Sequence, residues 1–180
     1  MPASEKKNRS LEERLRDVED RLEILNLIAA HPPGADTGEG EYMASYCAED
    51  VELQFSEHAP PWSGRAQLVA NIQRPAHKGA IEQGIGHFAG LPHIEIDGDT
   101  AVVTSYLQIL APNDTAEPAE VSGHGASKGF RVHILSANRW ELARTPEGWR
   151  IKRRIGRAIN TPAARTLLRE TTKARMAKQR

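Results

Sequence analysis

The chain has 180 residues, 39% hydrophobic and 27% charged, which is enough apolar side chain for one packed domain plus tails. Its single cysteine, Cys47, excludes an intrachain disulfide and a cysteine-based zinc site, and its formal net charge of zero removes bulk charge as a sign of a polyanion-binding protein. No run approaches the roughly 18 apolar residues of a membrane span, and the polar start MPASEKKNRS lacks an apolar leader, so a soluble, cytoplasmic protein with no membrane partner is expected.

Residues 1–9 are polar and aperiodic and are expected to be disordered. Ser10 followed by Glu13 is a capping-box pair, which predicts a helix starting at Ser10. Leu11, Leu15, Val18, Leu22 and Leu25 alternate spacings of four and three, a stripe expected to pack this helix against the body. Pro32 and Pro33 are expected to end it, because the residue before a proline is pushed out of the α region. HPPGADTGEGE (31–41) then reads as a loop holding one isolated acid, Asp36. Residues 39–48 predict a short helix. VELQF (51–55) alternates like a strand, and SEHAPPWSG (56–64) is turn-rich. Residues 64–74 predict another helix, whereas 75–86 show no usable period.

The pattern changes at residue 87. Apolar alternation over 87–96 and 100–110 flanks Asp97, Gly98 and Asp99, a strong hairpin signal. Residues 111–127 read as a long polar loop. Residues 129–144 and 149–159 predict two strands joined by the turn TPEG. Residues 160–180 predict a short helix running into a basic end. Helices followed by a meander predict an α+β domain over 10–159, its N-terminal helices on one strongly curved, mostly antiparallel sheet. Residues 150–180 carry eleven Lys or Arg and one acid, Glu170. This basic end either lies on the acidic remainder or serves a polyanion. No nucleic-acid motif accompanies it, so nucleic acid is not an expected partner.

Chemistry narrows by residue type. His87 and His93 could share a strand face, but a third metal ligand is not in view, and no metal site is expected. Ser105, Ser122 and Cys47 lack the surroundings of a nucleophile: there is no GxSxG elbow, and no cation lies near Cys47 in sequence. General acid–base chemistry needs only a histidine and an orienting partner. Asp36 and His87 are candidates for that pair, but taken alone each also reads as a turn residue or a strand-end histidine.

The order and spacing of several stretches resemble the SnoaL-like, NTF2-like superfamily of cone-shaped α+β barrels. They are ILNLIAAHPPGADTGEGEYMASYCAEDVELQF (24–55), SGRAQLVANI (63–72), GHFAGLPHIEIDGDTAVVTSYLQIL (86–110) and RWELARTPEGWRIKRRI (139–155). The resemblance implies that Asp36 and His87 match the catalytic dyad of the family's dehydratase and dehydrochlorinase members. There the histidine removes a proton and the carboxylate orients it. Ser136 and Asn138 resemble a Ser-x-Asn pair of scytalone dehydratase, and period two puts both on one strand face. Arg144 stands near the place of an arginine in the dehydrochlorinase. Family enzymes often carry a tyrosine just before the acid, where this chain has Pro32 and Pro33. Tyr42, Tyr46 or Tyr106 could substitute. Ser136, Asn138, Tyr106 and Arg144 are thus the expected substrate contacts.

The expected function is a cofactor-free lyase or isomerase acting on a small, mostly apolar molecule, in a homo-oligomer, dimer or trimer. A non-catalytic binding protein or a structural subunit of a larger assembly is the alternative reading.

Overall fold

The first helix is capped by Ser10, whose hydroxyl accepts from the Glu13 amide while the Glu13 carboxylate accepts from the Ser10 amide, closing the capping box. The computed structural model describes residues 9–177, with side chains to Lys173. The segment expected to be disordered therefore lies, but for Arg9, outside the described residues, as does the last part of the basic end. No described helix is long and apolar enough to cross a membrane.

Helix α1 spans Leu11–Ala29, but the leucine stripe is not its packed face. Leu11, Leu15, Val18 and Leu22 are 76%, 54%, 51% and 54% exposed. The buried face is instead Asp20, Ile24, Leu27 and Ile28. Two apolar faces compete on this helix, and the sheet takes the one that also brings a matched ion pair. Both Asp20 oxygens accept from Arg144, at 2.7 and 2.6 Å, and Asp20 Oδ1 also accepts from Trp149 Nε1 at 3.1 Å. The Arg144 hydrogen bond is the main reason the Asp20 carboxyl titrates below its ordinary range.

The prolines do not open a loop. HPPGADT forms a second helix, α2 (His31–Thr37), with both prolines in its first turn. A proline is tolerated there because the amides of a first turn have no intrahelical acceptor. Gly38 then ends the helix in the left-handed region at φ 71°. Short α3 (Gly40–Ser45) follows. Strand β1 (Cys47–Gln54) starts within the stretch expected to be helical, and Trp62–Ser63 form β2. After α4 (Arg65–Ile72) comes α5 (Pro75–Glu82), in a stretch with no sequence period. Pro75 in its first turn is the local start signal that the small residues obscured.

The expected first strand of the meander is two strands, β3 (Gly86–Ala89) and β4 (His93–Asp97), both antiparallel to β5 (Thr100–Pro112). The polar loop carries a small hairpin, β6 (Ala119–Val121) and β7 (Gly125–Ser127). Long strands β8 (Phe130–Thr145) and β9 (Gly148–Ala158) close the meander. The main sheet runs β2-β1-β9-β8-β5-β3, with β4 also on β5 and β1 parallel to β9. It is a curved, mixed sheet with free edges, so the expected barrel does not close. Helices rather than further strand pairing cover its concave face. Ile24, Leu27, Ile28, Met43 and Leu68 pack there on Val51, Val103, Trp140 and Trp149.

Helix α6 (Pro162–Ala177) packs Ala164 and Leu167 against Ala137, and Thr171 Oγ1 lies 2.7 Å from Thr104 Oγ1. Part of the basic excess is compensated internally, because the parallel β1–β9 pairing sets Lys152 by Asp50 and Arg153 by Glu52.

Candidate active site

Asp36 stands in the last turn of α2 and His87 near the start of β3, where pairing with β5 sets His87 opposite Ile109. Asp36 Oδ1 accepts from the His87 ring at Nδ1, 2.6 Å away. Both carboxylate oxygens also lie 3.0 Å from the His87 backbone amide. A carboxylate at Nδ1 puts the ring proton there and leaves the lone pair on Nε2. The His87 side chain is 9% exposed. Burial lowers its pKa below 6.5, partly opposed by the hydrogen bond to Asp36. At neutral pH the ring is therefore an unprotonated base with a fixed tautomer.

His87 lines a cavity of about 470 Å³, a size suited to a small organic molecule. Leu53, Phe55, Trp62, Leu68, Leu107 and Ile109 supply much of its apolar wall. Ser136 reaches it. Asn138 is fully buried behind that wall, where its Nδ2 donates to Ser136 Oγ at 3.0 Å and its Oδ1 accepts from Arg154 Nε at 3.0 Å. Asn138 thus holds other groups rather than meeting the cavity.

Two expected contacts lie elsewhere. Tyr106 follows Ser105 and precedes Leu107, so period two turns it to the outer face, where it is 45% exposed. Arg144 clamps α1 through Asp20 and also donates to Asp99 at 3.0 Å. It is not among the cavity-lining residues.

Residues not singled out in the sequence complete the wall. His31 opens α2 and accepts at Nε2 from Arg154 Nη1, 2.9 Å away. Its ring meets those of His87 and Trp140 edge to face, with centroids 6.0 and 5.5 Å apart. Burial, then the charge of Arg154, holds His31 well below its ordinary pKa, so it is neutral. His77, on α5, donates from Nε2 to the Ala35 carbonyl at 2.9 Å and lies 6.2 Å from His87 between ring centroids. Its helix was not legible from period, and His77 was missed with it.

Arg154 was hidden by a bulge. Between Leu142 and Glu141 the β8–β9 register slips by one residue, pairing Leu142 with Ile151 but Glu141 with Arg153. The extra residue reverses which side chains face inward. Alternation from Trp149 and Ile151 would turn Arg153 inward, whereas the structure turns Arg154 inward. Burial pushes the Cys47 thiol up to about 11, which leaves it inert at neutral pH. Among the described residues, no three His, Cys, Asp or Glu side chains are grouped as a metal ion requires.

The SnoaL-like domain family matches residues 16–155. An NTF2-like protein with a cystatin-like fold from Novosphingobium aromaticivorans is 35% identical, with a TM-score of 0.76 over 88% of this chain and 94% of its own. A protein of unknown function from Mycobacterium tuberculosis is 20% identical, with a TM-score of 0.65 over 86% of this chain and 79% of its own. A candidate dehydratase of the NTF2-like family from Streptomyces avermitilis is 19% identical, with a TM-score of 0.59 over 79% of this chain and 99% of its own. The last two likenesses show the fold alone. No curated protein matches the chain.

Proposed function

The chain belongs to the SnoaL-like domain family and has its NTF2-like fold, and from that premise we propose a cofactor-free lyase or isomerase of the dehydratase, cyclase or double-bond isomerase type. The observation that carries this reading is the Asp36–His87 hydrogen bond in the wall of an apolar cavity. His87 Nε2 takes a proton from a carbon of a small, mostly apolar substrate. Asp36 stabilises the imidazolium that results. The proton then returns either to a departing hydroxyl, giving dehydration, or to another carbon, giving isomerisation. Ser136, which lines the cavity, holds a substrate oxygen in this reading.

The test is deuterium incorporation. A panel of small cyclic ketones and hydroxyketones is incubated in D2O with the protein, and C–H exchange or product is followed by NMR. Exchange with the wild type and none with His87→Ala is expected. Exchange that persists in His87→Ala, or its absence across the panel, removes the proposal.

One observation favours association as well. The exposed stripe on α1 has a heptad register, with Leu15 and Leu22 at a and Leu11, Val18 and Leu25 at d. Glu12 and Glu19 then fall at e, and Arg14 and Arg21 at g. In a parallel pair Arg14 of one copy meets Glu19 of the other, whereas antiparallel packing sets like charges together. A second copy of this chain is therefore the proposed occupant of the stripe. A non-catalytic subunit of a larger assembly would use the same surface for a different polypeptide.

A further inference from the structure

Among the described residues, Arg154 is a buried cation without a counter-ion. It is 3% exposed. Its guanidinium carbon lies 4.3 Å from the Trp140 ring centroid and 4.9 Å from that of Phe55. Its Nε donates to the Asn138 amide oxygen and its Nη1 to His31. Both acceptors are neutral. No described Asp or Glu forms an ion pair with it, whereas its neighbours Lys152 and Arg153 pair with Asp50 and Glu52.

Taking an ion out of water is costly, and buried charges are ordinarily paired. Arg154 remains charged at neutral pH even though burial pushes its pKa down to about 9. Its Nη2 donates to no other described residue. Nor is that nitrogen sealed in the interior without a hydrogen bond, as the Nε atoms of Arg150 and Arg153 are. The rest of the cavity has the same sign. Arg74 and Arg157 also line it, and among the described residues no Asp or Glu does, Asp36 being held behind His87.

We infer that the cavity takes a small apolar carboxylate, its head on Arg154 Nη2 and its carbon skeleton against Phe55, Leu107 and Ile109. This names a substrate class for the proton-abstraction reading, and rests on that reading for turnover but not for binding. His31 is hydrogen-bonded to Arg154 and packed on His87, so the anion site and the base share one wall. A neutral substrate would leave the guanidinium unpaired throughout the bound state, whereas a carboxylate pairs it on entry with a charge-assisted hydrogen bond.

Titration calorimetry on the full chain at low ionic strength tests this with benzoate, phenylacetate and cinnamate against their carboxamides. At least one acid is expected to bind about ten- to hundredfold tighter than its amide, the range of a hydrogen bond to a charged group. Arg154→Met should abolish that preference and leave amide affinity within about threefold. Arg154→Lys should keep part of it, as a point charge without the fork. Circular dichroism checks folding, and the wild-type comparison stands even if Arg154→Met does not fold. Equal affinity for acid and amide, no acid bound, or a preference that survives Arg154→Met overturns the inference. A kcat loss in Arg154→Met without a binding preference overturns it too, assigning Arg154 to a transient oxyanion. His87→Ala separates the two readings, because it should keep the acid preference while losing turnover. Acid preference without turnover removes only the enzyme reading. Turnover of neutral compounds that needs His87, with no acid preference, removes only this inference.

Discussion

Asp36 holds His87 at two points. The carboxylate accepts from the ring at 2.6 Å and from the backbone amide of the same residue at 3.0 Å, across 51 positions of sequence. The amide contact fixes where β3 meets α2, and the ring contact fixes which nitrogen faces the cavity.

Asp36→Asn separates those two tasks. An amide oxygen can still accept from the backbone, but the carboxylate that stabilises a protonated ring is gone. We expect kcat to fall about 10²-fold or more, with KM within about threefold and the melting temperature little changed. Steady-state kinetics on a substrate found by the exchange screen checks this. A kcat within threefold of wild type would show that Asp36 does not orient the base.

The pH profile of kcat/KM should fall on the acid side with a midpoint below 6.5, because burial lowers the His87 pKa. Asp36 opposes that shift, so Asp36→Asn should move the midpoint lower still. A midpoint above 6.5 in the wild type would contradict the buried, neutral base.

Stability should also depend on pH. His31 and His87 have folded pKa values below the 6.5 of the unfolded chain. The unfolded state therefore binds more protons as pH falls below 6.5. Their contribution is fully present above 6.5 and is lost as pH falls through the lowered values. Urea unfolding at pH 7.5 and 5.5 should give a smaller free energy at 5.5, with a shallower loss in His31→Gln. Asp20 adds a loss of the same sign only at lower pH, beneath its ordinary value of 3.8.

Arg144→Leu tests the clamp. It removes both hydrogen bonds to Asp20 and the one to Asp99, leaving Asp20 buried with Trp149 Nε1. The Arg144 side chain is 30% exposed, which screens the pair, so a cost of about 2 kcal/mol in urea unfolding is expected. The kcat/KM should stay within about twofold. A raised KM at unchanged stability would return Arg144 to the substrate.

Gly156→Ala probes the cavity wall. A Cβ there would stand 2.9 Å from Phe55 Cδ1 and 3.2 Å from Asn138 Oδ1. Phe55 must shift, at about 1 kcal/mol of stability, and carboxylate affinity should fall because Phe55 also packs on Arg154.

Native mass spectrometry should find a homodimer that Leu15→Glu with Leu22→Glu converts to a folded monomer. A wild-type monomer would leave the α1 stripe without its proposed occupant.

Caps, turns and strand alternation were legible because they act within a few residues. Ser10 and Glu13 start α1 by themselves, Asp97, Gly98 and Asp99 turn the β4–β5 hairpin, and the resemblance of the order of segments to a known family picked out Asp36 and His87. What lay beyond was set by partners far along the chain. The sequence marked the leucine stripe of α1 for the body, and Arg144 and Trp149, more than 120 positions away, turned the Asp20 face inward instead by pairing with Asp20. The single slip at Lys152 reversed the inward phase of β9 and carried Arg154 rather than Arg153 to the cavity. Local chemistry thus marked many of the elements and offered Asp36 and His87 as candidates, and the family resemblance made them a base and its orienting acid. Only tertiary packing decided which charges were buried, because that depends on the balance of desolvation and pairing over the whole fold.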